Sequence, residues 1–165
     1  SDSGGGAGIQ ADLKTFSACG CYGTSVITAI TAQNTLGVSA IHPVPIGTIE
    51  AQITAILEDI GTDSVKIGML HSSEVIETVA ACLQKYPCGS IVVDPVMVAT
   101  SGDKLIEDDA IATMKTVLLP MATLITPNIY EAELLTGIAI GDREDMAGVA
   151  SILQQSYSTN ILLKG

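Results

Sequence analysis

Residues suited to handling phosphate or a polar ring recur at four places in this chain. The first is its opening, Ser1-Asp2-Ser3-Gly4-Gly5-Gly6-Ala7-Gly8, which runs into a helical pattern from Ile9. Free N–H groups at a helix start, with no side chains in the way, favour an anion. A tight glycine turn equally lets a flat ligand approach the backbone. The spacing leaves both readings open, because neither Gly-x-x-x-x-Gly-Lys-Ser/Thr nor Gly-x-Gly-x-x-Gly in proper register is present. The second place is Asp94, which ends an apolar run and precedes Pro95. It reads as a turn cap or as a charge that helps hold Mg²⁺ or its waters beside phosphates. The third is Asn128 with Glu131, three apart across a helix start. They fit a capping box and equally an amide and carboxylate facing a magnesium shell. The fourth is Lys164, which follows Ile161-Leu162-Leu163. It is either a solvated cation or one placed to neutralise a transferring phosphate. His42 and His71 read as loop or surface residues, and Met69 and Met97 as core or pocket wall.

The elements that must position these groups alternate between helix and strand. Apolar residues at helical spacing predict helices over 9–19, 49–60, 72–86, 108–119, 130–135 and 142–157. Gly20 and Gly61 stand where left-handed caps are wanted, Ser72 or Ser73 can open the third helix, and Pro120 is expected to stop the fourth. Apolar, β-branched runs predict strands over 22–32, 64–69, 90–94, 123–126 and 161–164, with a loop around Gly37, Pro43 and Pro45. These strands are continuous rather than alternating in hydropathy, as in a parallel sheet covered on both faces. Right-handed crossovers make this one three-layer α/β/α domain over residues 1–165 with a mostly parallel central sheet. Ligands in such sheets bind beyond the carboxyl ends of the strands. Those ends carry Gln33-Asn34, Met69-Leu70-His71, Asp94-Pro95, Thr126-Pro127-Asn128 and Lys164-Gly165.

Composition narrows the partners. Of 165 residues, 47 % are apolar and 15 % charged, so the chain buries a core rather than staying disordered. Seven basic against 18 acidic residues give a net charge of −11, which argues against nucleic acid and against an anionic membrane surface. No run approaches the roughly 18 to 20 apolar residues of a membrane span. No secretory signal pattern is visible. Cys19, Cys21, Cys82 and Cys88 have no zinc-ligand spacing, and read as reduced thiols of a cytoplasmic protein. The chain lacks an initiator Met and stops where a strand meets a loop, so both ends are expected to be cut.

Six runs occur in a fixed order: residues 3–16, 22–35, 66–70 (Lys-Ile-Gly-Met-Leu), 92–97 (Val-Val-Asp-Pro-Val-Met), 101–105 (Ser-Gly-Asp-Lys-Leu) and 124–135 (Leu-Ile-Thr-Pro-Asn-Ile-Tyr-Glu-Ala-Glu-Leu-Leu). Together they resemble the hydroxymethylpyrimidine/phosphomethylpyrimidine kinases of thiamine biosynthesis, which are ribokinase-like and related to the pyridoxal kinases. The resemblance covers essentially the whole chain. It implies ATP- and Mg²⁺-dependent phosphate transfer to the hydroxymethyl group of 4-amino-5-hydroxymethyl-2-methylpyrimidine, then a second transfer to the monophosphate. It places Gln33 on the aminopyrimidine edge, where an amide offers both donor and acceptor. It places Met69 in the pocket wall and Gly4, Gly5 and Gly6 behind the substrate, which favours the substrate-turn reading of that loop. Asp94, Asn128 and Glu131 match the Mg²⁺ and phosphate network, and Lys164 a lysine near the ATP phosphates. A homodimer is also implied.

The family's catalytic Gly-Thr-Gly-Cys-like loop has no match in residues 1–165. By this resemblance the domain is incomplete: it lacks its first strand and its C-terminal catalytic and adenine-binding part. The four cysteines stand in the wrong segments to replace that loop. The 165 residues alone are therefore expected to show no turnover. Two alternatives stay beside this reading: a pyridoxine or pyridoxal kinase of the same branch, and a non-catalytic pyrimidine-binding module.

Overall fold

The first helix, α1 (Gly8–Ala18), begins and ends on glycine geometry: Gly8 has φ +57° and Gly20 has φ +76°. The computed structural model describes residues 1–98 and 106–165, so the Ser101–Leu105 motif lies outside the described residues. No residue of α1 is fully buried. It lies instead on the extended segment 22–28, where Gly23 permits the approach. A Cβ there would stand 2.9 Å from Leu13 and 3.0 Å from Phe16.

The strand expected over 22–32 is shorter and belongs elsewhere. Only β1 (Ala29–Asn34) is strand, and it pairs antiparallel with β2 (Gly37–Pro43), the stretch expected to be loop. Residues 22–28 are not strand: Ile27 finds its backbone partners in a side chain. The Gln52 amide donates to the Ile27 carbonyl at 3.1 Å and accepts from its N–H at 3.0 Å. The hairpin turn forms because the Asn34 side chain accepts from the N–H groups of Leu36 and Gly37.

Beyond the hairpin the expected alternation holds. The order is α2 (Ile46–Asp59), β3 (Ser64–Ile67), α3 (Ser73–Lys85), β4 (Ser90–Val93) and α4 (Asp108–Thr113). Then come β5 (Leu124–Ile125), α5 (Ile129–Thr136), α6 (Arg143–Tyr157) and β6 (Asn160–Ile161). Pro120 does not stop the helical path. After α4 the chain passes through a π turn (Met114–Leu118) and a tight 3₁₀ turn (Leu119–Met121). Proline is tolerated at the start of that turn because its missing N–H has no partner to lose. Strands β3, β4, β5 and β6 form one parallel sheet in that order. The helices fall into two packed groups, α2 with α3 and α4, and α5 with α6. Ile49, Ile76, Val93, Leu118, Ile125 and Leu153 form the centre of the core. Each such side chain contributes about 1.5–3 kcal/mol by leaving water. Among the described residues no helix is long and apolar enough to cross a membrane.

Strand pairing runs on past the assigned ends. The N–H groups of Asp94, Thr126, Leu162 and Lys164 donate to carbonyls of the neighbouring strand path. An isolated parallel bridge joins Asn128 to Lys164. The carboxyl edge is thus stiffened at the places that carry the polar residues.

Candidate active site

Two clusters form at this edge. In the first, Lys164 donates to Asp94 Oδ1 at 2.8 Å and the Thr126 hydroxyl donates to the same oxygen at 3.3 Å. Asn128 caps α5: its side chain accepts from the Glu131 N–H at 2.8 Å, and Glu131 accepts from the Asn128 N–H at 2.8 Å. The capping box is therefore real, and it faces Asp94. Burial pushes the Glu131 pKa up and the Asp94 carboxylate adds to the rise, against the Asn128 and Met97 N–H groups and the Lys164 charge. A buried carboxyl beside a second carboxylate suits a divalent cation. Among the described residues no three His, Cys, Asp or Glu gather closely enough to hold a metal alone. A cation there would keep waters and lean on phosphate oxygens, as Mg²⁺ does.

The second cluster is built on Asp2, which sequence reading passed over. Its carboxylate accepts from the N–H groups of Gly4 (2.8 Å), Gly6 (3.0 Å) and Ala7 (2.8 Å). Burial pushes the Asp2 pKa up, but the N–H groups of Gly4, Ala7, Gly6 and Gly5 outweigh it and hold it below the usual carboxylate range. An aspartate at the head of a glycine run is the available signal, since Asp side chains bond the backbone just ahead of them. The Ser3 hydroxyl then fastens the loop to β1, donating to the Gln33 carbonyl at 2.6 Å and accepting its N–H at 2.8 Å. The register shifts between Ala32 and Gln33, which pair with Ala40 and Val38, so that Ser39 of β2 is the extra residue there. Gly4 packs on the same place, since a Cβ there would stand 3.4 Å from the Gln33 carbonyl oxygen. Gly4, Gly5, Gly6 and Gln33 are therefore brought together. Met69 is half-buried at the end of the β3 path, and its carbonyl accepts from the Thr28 hydroxyl at 3.2 Å.

Lys66 and Asp12 form a further pair at 3.1 Å that ties α1 to β3. A Cβ at Gly68 would lie 3.2 Å from the Lys66 amine. Of the weaker candidates, Met97 is core, His42 lies exposed in β2 rather than in a loop, and His71 has a buried Nδ1 without a hydrogen-bond partner. The four cysteines are free thiols. A shallow cleft of about 510 Å³, lined by Gly47, Glu50, Ala51, Thr54, Ala55 and Lys85, contains none of these residues. The candidate site is an open edge.

The parallel α/β sheet with its covering helices is a ribokinase-like fold. The crystal structure of phosphomethylpyrimidine kinase from Clostridium difficile 630 is similar over 100 % of this chain and 71 % of its own, with TM-score 0.91 and 50 % identity. The pyridoxal kinase of Staphylococcus aureus in complex with pyridoxal is more distant. Its identity is 34 % and its TM-score 0.88, over 100 % of this chain and 61 % of its own. The hydroxymethylpyrimidine/phosphomethylpyrimidine kinase of Haemophilus influenzae is 54 % identical over 165 residues. This chain spans 61 % of that relative's length. The family model for phosphomethylpyrimidine kinase matches residues 2–165, and the chain belongs to that family.

Proposed function

We propose that these residues form the substrate- and phosphate-holding part of an ATP-dependent kinase of thiamine biosynthesis. It phosphorylates 4-amino-5-hydroxymethyl-2-methylpyrimidine and then its monophosphate. The observation that carries the reading is the place of Gln33 near the end of β1, its backbone fastened by Ser3 to the glycine loop. An amide can match an aminopyrimidine edge with one donor and one acceptor. Met69 and the loop at Gly4, Gly5 and Gly6 wall the ring. The substrate hydroxyl oxygen forms a bond to the γ-phosphorus, the bond to ADP breaks, and the hydroxyl proton is released. Lys164 sits where its ammonium neutralises phosphate charge, held in place by Asp94. Asp94 and Glu131 would hold Mg²⁺ through its waters, with the Asn128 amide beside them. Bound Mg²⁺ neutralises the polyphosphate of ATP. The same Staphylococcus pyridoxal kinase has been solved in complex with AMP-PCP, which supports a nucleotide as phosphate donor. The chain acts in the cytoplasm, as a homodimer.

Calorimetry tests this. In the full-length protein the aminopyrimidine and Mg-ATP should each bind. Binding of pyridoxal but not of the aminopyrimidine overturns the substrate assignment in favour of the vitamin B6 branch. Aminopyrimidine binding with no nucleotide binding supports a non-catalytic module instead.

A further inference from the structure

Helix α1 carries Ile9, Asp12, Leu13 and Phe16 at the spacing of one helix face. All four are half-buried. A carboxylate thus stands in a stripe where packing alone calls for another apolar side chain. Lys66 meets it from the sheet, with its ammonium 3.1 Å from each Asp12 carboxylate oxygen. The next residue, Ile67, belongs to the core, so strand alternation turns Lys66 to the other face of β3. Gly68 shares that face, and a Cβ there would stand 3.2 Å from the Lys66 amine. The Lys66 side chain therefore runs toward the carboxyl end of β3, beside a glycine that leaves it room. Only 27 % of the Lys66 side chain and 29 % of the Asp12 side chain stay exposed. Exchanging a desolvated ion pair for apolar side chains is often neutral or stabilising, so stability alone does not account for this one. What the pair adds is register, because both oxygens are reached only at one position of α1 along β3. That position carries to the site at two points. The Asp2 N–H donates to the Gln10 side chain of α1 at 2.8 Å, so the glycine loop travels with the helix. Met69 follows directly on Gly68.

We propose that Lys66 and Asp12 are positioning residues for the kinase reaction. Their ion pair fixes the height of α1 against β3, and with it the width of the gap between the turn at Gly4, Gly5 and Gly6 and the Met69 wall. They act through that turn and that wall. This rests on the proposed aminopyrimidine substrate, and it adds what sets the width of the pocket for it.

The test is steady-state kinetics of the full-length enzyme with the aminopyrimidine and Mg-ATP, beside urea midpoints. The double variant Asp12→Leu with Lys66→Met removes both charges and completes the apolar stripe. Its urea midpoint should equal or exceed that of the unaltered enzyme. Its aminopyrimidine KM should nevertheless rise about tenfold, with kcat and the Mg-ATP KM held within about twofold. A purely structural pair would leave the aminopyrimidine KM unchanged once the fold is kept. An unchanged KM in the folded double variant overturns the proposal, and so does an equal rise in the Mg-ATP KM. Should the double variant fail to fold, Asp12→Asn decides. It keeps an acceptor for Lys66 and loses the charge, and its aminopyrimidine KM should rise about threefold; no rise overturns the proposal. If the unaltered enzyme does not phosphorylate the aminopyrimidine, the functional reading itself fails, and this inference with it.

Discussion

Asp2 and Glu131 are the buried acids among the described residues, 4 % and 3 % exposed, and their protonation is pushed in opposite directions. Asp2 stays charged because its loop turns backbone N–H groups onto it. Glu131 also accepts N–H bonds, but it shares its corner with Asp94, and burial with like charge prevails. Equal burial thus yields opposite outcomes, decided by donors on one side and a neighbouring carboxylate on the other. The functional corollary differs at the two ends. At Asp2 the charge is satisfied and has nothing to gain from a ligand. At Glu131 two carboxylates face one lysine, the condition in which a bound cation gains most.

The two ends also differ in what holds them. The Glu131 corner stands on the core: Ile125 and Ala132 are fully buried beside it. The Asp2 loop leads into α1, which buries no residue completely. Ile125→Ala should therefore lower unfolding stability by about 2–5 kcal/mol in urea melts. Phe16→Ala in α1 should cost about 1–2 kcal/mol, because a half-buried ring loses only part of the transfer term. Equal costs would break the contrast. Gln33→Ala should weaken aminopyrimidine binding by about 1–3 kcal/mol, through one unpaired polar edge, and leave Mg-ATP affinity alone. An unchanged pyrimidine Kd would remove Gln33 from the site. Asn128→Ala deletes the cap of α5 and should cost about 1 kcal/mol of stability. A null result in urea would mean that the bridge to Lys164 alone positions that turn.

The Glu131 corner was the more legible of the two in sequence. Asp94, Asn128, Glu131 and Lys164 each follow an apolar strand run, and a parallel sheet brings strand ends together without further information. Spacing could not separate a capping box from a metal-facing pair; the structure forms the box and sets Asp94 near it. The Asp2 end was less legible because its order comes from side chain to backbone bonds. Asp2 organises the loop from within, and Ser3 joins residues thirty positions apart. The hairpin was hidden for a related reason. β-branched residues fill 22–28 as well as β1, but partners, not propensity, decide which stretch is strand. Gln52 supplies those partners to Ile27 by its amide, and no periodicity announces that.

The smallest expected effect is the one that separates the two acids most cleanly. Asp2 has a folded pKa below the ordinary aspartate value of 3.8. It contributes stability above that pH, lost as pH falls from there toward the folded value. Glu131 has a folded pKa above the ordinary glutamate value of 4.5. Below 4.5 both folded and unfolded chains hold it protonated; as pH rises from there the unfolded chain ionises first and stability falls until the folded pKa is passed. Stability rises with pH through the Asp2 window and falls with pH through the Glu131 window, so one pH series of urea midpoints reads both. Glu131→Gln keeps an acceptor for the Asn128 N–H and removes the charge. The decline above 4.5 should disappear in that variant, while the acid limb from Asp2 remains. Added Mg²⁺ should then raise the midpoint of the unaltered chain at neutral pH more than that of the variant. If the decline persists in Glu131→Gln, its source is another group, and the opposition between Asp94 and Glu131 is not what prepares this corner for a cation.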